Sequence, residues 1–262
     1  AEDGIRDAQE SRGLGDVYKR QLEGRIPLLI AKKTKNGKWD WTEAYLRLLG
    51  DGGGISIGTQ SIINPLLNDE KWMNILRNEF NTVTVDSGLY YAEVEPKKGV
   101  FYFSRADLQI TKLSELGFLI RGHALIFPTS GTLFPNWLRN GNYSKDELKE
   151  ILINHVKKIV EHYRGVIKEW VVVNEPYLGN RNDDVFYNTF GNYDYIEWAF
   201  EAARVADPKA ILIYNDTGNH DPRFPMTKLT KDIVAKLVAN NLVDRIGSVS
   251  YTHLTLPTIY SV

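Results

Sequence analysis

WVVVNEP, residues 170–176, is an unbroken β-branched run that ends in an amide, a carboxyl group and a proline. Three successive valines show no polar alternation, so the segment fits a strand covered on both faces, as in a parallel sheet flanked by helices. The pattern extends outward in both directions. Upstream, residues 145–163 carry Leu148, Ile151, Leu152, Val156, Ile159, Val160 and Tyr163 at three- and four-residue steps, one face of a helix. Ser144, with Glu147 three positions on, opens that helix as a capping box. Downstream, a helix over 195–205 stops at Asp207-Pro208 and gives way at once to AILIY, and a helix over 228–240 leads into another apolar run. The strands read from the sequence are 55–58, 82–85, 118–122, 166–174, 210–215 and 245–248. Strands separated by helical patterns imply right-handed βαβ units and a parallel sheet.

Six such strands fit an open doubly wound sheet or six-eighths of a barrel. The open sheet calls for a glycine-rich phosphate turn after an early strand, but Gly52-Gly53-Gly54 precedes its strand, so the dinucleotide fingerprint is missing. Asp86, His123, Asn174, Glu175, Asn215 and Asp216 gather just beyond strand ends, where barrel enzymes hold their chemistry. The expected fold is α/β, a (β/α)8 TIM barrel, incomplete, with about six of the eight βα units present.

Composition narrows the function. The chain has 262 residues, 32 Lys+Arg against 33 Asp+Glu, and no Cys. Balanced charge argues against a nucleic-acid binder, which needs a basic face. Without Cys there are no disulfides, thiolate zinc sites or cysteine nucleophiles. No run of about 18 apolar residues is present to span a membrane. No His, Asp or Glu cluster shows zinc spacing; His155 and His162 lie seven apart on one helix, toward solvent or a neighbouring element. No metal or other cofactor is called for.

Glu175 is the sharpest chemical candidate. A carboxyl group at a strand end is partly shielded from water, which raises its pKa and suits it to protonate a leaving oxygen. Asn174 beside it can hydrogen-bond a sugar hydroxyl. The competing reading is that Asn-Glu-Pro merely caps and starts the next helix.

Several motifs add a family. SIGTQSIINPLLNDEKWMNILRNEFNTVT, EPKKGVFYF (95–103), RGHAL (121–125), WVVVNEP and AFEAARVADPKAILIYND (199–216) follow one another as in glycoside hydrolase family 10, the retaining endo-β-1,4-xylanases, which this chain resembles from Ile57 to Gly247. The resemblance implies a retaining β-glycosidase acting on a β-1,4-linked plant polysaccharide, with xylan as the expected substrate, Glu175 as general acid/base, Asn174 on the sugar 2-hydroxyl and His123 lining the subsite of the scissile sugar. A polysaccharide or oligosaccharide is then the partner, with no nucleic acid and no membrane, and the complete protein is read as a secreted monomer. Alternatives are a family 5-like endoglucanase and a non-catalytic carbohydrate-binding barrel.

Two departures stand out. The family's acidic-Asn…Lys-Trp cluster is here Asp86, Ser87, Tyr90 and Tyr91, so a phenol replaces a cation. After His123 the family's Trp-His is replaced by Phe127-Pro128 and an expanded loop, TSGTLFPNW. Phe127 and Trp137 remain available to stack on a pyranose or to fill the core. A retaining hydrolase also needs a nucleophilic carboxylate, in the family a glutamate after the seventh strand; Thr42-Glu43 is the nearest local match, and a solvated helix position is expected for it. The polypeptide by itself is expected to be inactive and, with an unclosed barrel, prone to aggregate.

The ends read differently from the middle. Residues 1–21 lack helical or strand period, residues 249–262 break the helix-strand alternation, and both resemble translated sequencing-adapter read-through. The expected organisation is 1–21 non-native, 22–50 an upstream segment partly helical, 51–248 the partial barrel and 249–262 non-native.

Overall fold

The computed structural model describes residues 28–33, 39–177, 184–219, 223 and 225–249. Residues 1–21 lie outside that set, and of 249–262 only Val249 falls within it. The chain divides into two compact units, residues 1–59 with 64–82 and residues 60–63 with 83–262.

The first unit opens with a hairpin, β1 (Leu28–Lys33) antiparallel to β2 (Trp39–Ala44). Among the described residues of 22–50, helix is found at the end, where α1 (Leu46–Gly53) begins; Thr42 and Glu43 lie on β2, not on a helix. Gly54 ends α1 in the left-handed region, at φ 65°. The strand expected at 55–58 is displaced to β3 (Gly58–Gln60). Asn81 is the reason: its Oδ1 accepts from the Ile57 N–H at 2.8 Å, while the Ile57 carbonyl takes the N–H groups of Asn81 and Thr82. The Ile57 N–H is thus taken by a side chain and its carbonyl is shared between Asn81 and Thr82, the first residue of the next strand, so the regular strand begins only at Gly58. Helices α2 (Ile63–Asn68) and α3 (Glu70–Glu79) follow, the latter capped by Asp69 accepting from the Trp72 N–H.

The second unit carries β4 (Thr82–Val85) from its Val83 onward, the short α4 (Tyr91–Val94), α5 (Ser104–Glu115), β5 (Leu119–Ile126), α6 (Asn136–Arg139), α7 (Lys145–His162), β6 (Glu169–Asn174), α8 (Val185–Phe190), α9 (Asp194–Ala206), β7 (Ile211–Thr217), α10 (Pro225–Ala239) and β8 (Arg245–Val249). Strands β3 to β8 form one sheet in chain order, six parallel strands matching an incomplete (β/α)8 barrel. The capping box at Ser144 and Glu147 forms as expected, and the stripe from Leu148 to Val160 is buried. Val166 and Ile167, expected in strand, instead bond back to the Tyr163 carbonyl and close α7, with Gly165 at φ 77° making the turn.

All six residues of β6 are buried, as its valine run requires. Gly122 on β5 is the price of seating Trp170, since a Cβ there would run into the indole ring. Interior side chains Ala124, Val171 and Ile213 pack together, with Phe127 and Ile211 against them. Irregular register between His123 and Ile126 on β5, and between Val171 and Val173 on β6, ends with Asn174 opposite Asn215.

Candidate functional site

The chemistry gathers at the carboxyl ends of β4 to β7. Glu175 follows β6 directly, and its backbone takes φ 45°, a left-handed conformation unusual for a residue with a Cβ. Two hydrogen bonds hold it: its N–H donates to the Asn215 carbonyl at 2.9 Å, and its carbonyl accepts from Thr129 Oγ1 at 3.2 Å. Such an enforced conformation costs about 1–3 kcal/mol and occurs where the surroundings over-determine it. Among the described residues, 174–177 are not helical, and α8 starts at Val185 with Asp184 as its cap.

Glu175 is 5% exposed, and burial first, then the charge of Asp216, pushes its pKa above the ordinary glutamate range. Among the described residues no cation pairs with it. Asp216 itself is wholly buried and accepts from the Tyr214 hydroxyl at 2.9 Å, the Thr217 N–H at 2.9 Å and Thr230 Oγ1 at 3.1 Å. With both oxygens engaged, it is placed to act on Glu175 through its charge rather than to touch a ligand.

Asn174 is clamped beside it. Its Oδ1 accepts from Asn215 Nδ2 at 2.6 Å. Gly247 on β8 makes room for the Asn215 side chain, which a Cβ would strike. His123 lies within β5, three residues short of the strand end, because the apolar run continues through Ala-Leu-Ile; the expected terminal position is corrected accordingly. Burial lowers the His123 pKa, with Asp86 and Asn174 opposing, so the imidazole is neutral near pH 7. Phe127 meets His123 edge to face, ring centroids 6.3 Å apart, and also packs on the interior cluster.

Asp86 follows β4 and is saturated. Tyr90 Oη donates to it at 2.8 Å, the Ser87 N–H at 2.5 Å, and Gln60 Nε2 donates as well. The Tyr90 phenol is pushed up by burial and by Asp86, so it stays a donor. Gln60 and Thr129 were not among the sequence candidates; Gln60 closes β3, so the rule that barrel strands end in functional side chains was the available signal. Tyr91 is withdrawn: it is 3% exposed and lies flat on His155, centroids 3.3 Å apart. His155, far from facing solvent, is fully buried with Nδ1 2.8 Å from Glu95 Oε2, while His162 meets Asp107 at 2.9 Å. Trp137 donates its indole N–H to the Glu95 carbonyl at 2.9 Å. Asp86, His123, Asn174, Glu175 and Phe127 are thus linked through direct contacts or charge.

The sequence pattern of glycosyl hydrolase family 10 matches residues 46–261. The chain belongs to that family. Relatives of the family 10 chain include endo-1,4-beta-xylanase B of Thermotoga neapolitana, 35% identical over 199 residues, which cover 74% of this chain and 56% of the relative. Endo-1,4-beta-xylanase C of Phanerodontia chrysosporium is 34% identical over 211 residues, 79% of this chain and 52% of the relative. The chain thus spans about half the length of the curated relatives it matches. The crystal structure of xylanase 10B from Thermotoga petrophila RKU-1 in complex with xylobiose matches at TM-score 0.71 and 32% identity, covering 79% of this chain and 63% of that one. Among the described residues of the family 10 chain, no three His, Cys, Asp or Glu side chains cluster to hold a metal, and no helix is long and apolar enough to cross a membrane.

Proposed function

We propose that the protein this chain represents hydrolyses β-1,4-linked xylan with retention, and that Glu175 is its general acid/base. One observation carries the role: a buried carboxyl group with no cationic partner among the described residues, raised in pKa by burial and by Asp216, at the end of β6. In the first half-reaction Glu175 protonates the glycosidic oxygen as the C–O bond breaks and a second carboxylate takes the anomeric carbon. In the second, Glu175, now ionised, removes a proton from the water that releases the sugar. Asn174, oriented by Asn215, bonds the sugar 2-hydroxyl. Asp86 contributes to the neighbouring sugar site, and Phe127 offers an apolar face to it.

Relatives named as endo-1,4-beta-xylanases and a relative crystallised with xylobiose support xylan as the substrate and an oligosaccharide as the ligand. Asp86 and Asp216 have their oxygens committed to internal donors, so neither is free to act as the second carboxylate. The test is reducing-sugar release from xylan, cellulose and mannan by the full-length protein and its Glu175→Gln variant. Release from xylan alone, abolished in the variant, is expected. Activity untouched by Glu175→Gln overturns the assignment and leaves a binding barrel; release from cellulose in place of xylan overturns the substrate.

A further inference from the structure

A cavity of about 320 Å³ opens among the loops that follow β4 and β5, lined by Pro96, Thr132, Pro135, Asn136, Trp137 and Arg139 among others. These loops sit at the same carboxyl end of the strands as Glu175, and Thr129, which holds the Glu175 carbonyl, lies three residues before Thr132. The volume is at the lower limit for a small-ligand site and suits a single sugar unit better than a chain.

Its lining is chemically selective. Trp137 and the two prolines give flat apolar walls of the kind that pack against the C–H face of a pyranose. Thr132 and Asn136 are exposed and can meet hydroxyls. Arg139 brings the only charge, since no acidic residue lines the cavity. Among the described residues its guanidinium has one polar partner, Asn136 Oδ1 at 2.5 Å from NH2, and its buried Nε has none. An arginine in this state offers a planar set of donors matched to a carboxylate. A phosphate group would be held by several donors and would gain nothing from the indole and proline walls.

We propose that this cavity is a binding site for a uronic acid unit carried on the polysaccharide, its carboxylate on Arg139 and its ring against Trp137. The choice of a sugar on a xylan backbone rests on the function proposed above; the choice of a carboxylate rests on Arg139 alone.

The chain, tethered at low density on a sensor surface, is exposed to xylotriose bearing one glucuronosyl branch, to unbranched xylotetraose and to a galacturonate dimer. The branched ligand should bind about tenfold or more tighter than xylotetraose, the scale of one charge-assisted pair. Arg139→Gln should erase that difference and leave xylotetraose binding as it was. Thr132→Trp, which fills the cavity mouth from an exposed position, should erase it too without touching the arginine. Equal binding of branched and unbranched ligands, or a difference that survives both variants, overturns the site. Arg139-dependent binding of the galacturonate dimer, with neither xylo-oligosaccharide bound, keeps the site and overturns the xylan reading.

Discussion

Glu169 and Glu175 stand at opposite ends of one strand, both almost fully buried, and the molecule treats them in opposite ways. Glu169, at the amino end of β6, receives Arg121 Nε and NH2 at 2.9 and 2.6 Å on one oxygen and Arg245 NH1 on the other. The two arginines come from β5 and β8, so one carboxylate ties three strands together across the sheet interior. Among the described residues Glu175 has no such partner; the charge that acts on it is Asp216, of the same sign. Residue type and depth are shared, so the difference in role comes from the neighbours. An ion-paired carboxylate holds the strands, while one beside another acid, with no cationic partner among the described residues, is pushed above the ordinary glutamate range.

The largest expected effect breaks the functional side of this contrast. Glu175→Gln keeps size and hydrogen-bonding atoms but removes the transferable proton, and kcat of the full-length protein on xylan should fall by about 10²–10⁴. Glu169→Gln in the same assay should lower kcat little. Equal kcat losses in the two variants would mean that the strand ends are not functionally distinct.

On the structural side the order reverses. Glu169→Gln leaves two guanidinium groups facing each other without their carboxylate. Removing one partner of a buried pair costs about 3–5 kcal/mol, and the partial exposure of Arg121 and Arg245, 31% and 48%, screens part of that, leaving about 1–3 kcal/mol. The urea midpoint should drop accordingly, and Glu175→Gln should leave it unchanged or raise it.

A third buried carboxylate, Asp184, lies between these extremes. It caps α8 by accepting from the Phe186 and Tyr187 N–H groups at 3.0 Å and from Tyr195 Oη at 2.9 Å, yet burial outweighs these donors and lifts its pKa from 3.8 to about 6. The folded state then holds more protons than the unfolded state between those values, so stability falls as pH rises from about 4 to 6, by about 3 kcal/mol at most. Asp184→Asn, which can still accept from the helix N–H groups, should flatten that part of the stability-pH curve, as read from denaturant titrations at pH 4, 5 and 7.

How much of this was legible in the sequence follows the same divide. The α7 capping box and β4 fall where local patterning puts them, because short-range hydrogen bonds and apolar period decide them. β3 does not, because a side chain 24 residues away, Asn81, takes over the Ile57 backbone, and no local pattern carries that information. Glu175 and Asn174 were marked by a strand that ends in polar groups. Gln60, Asp216 as a charge neighbour and the Arg121-Glu169-Arg245 triad were hidden because each depends on which strands become neighbours. For His155 the sequence leaves solvent or a neighbouring element open; it lies on the buried stripe of α7, and the partner that decides between them, Glu95, is 60 residues away.

The smallest expected effect sharpens the comparison by changing only the neighbour. Asp216→Asn leaves a near-isosteric group that can accept from Tyr214 and Thr230, so the fold around β7 should survive, but it removes the like charge that helps hold a proton on Glu175. Burial is the larger cause of the raised pKa and stays in place, so the shift should be partial. The basic limb of the kcat/KM profile of the full-length protein reports the acid in the free enzyme, and in Asp216→Asn it should move to lower pH while the maximum changes less than the limb. A limb that stays put would show that burial alone sets the Glu175 proton; a limb that moves upward would mean that Asp216 supports the ionised form, and the like-charge account of this site would be wrong.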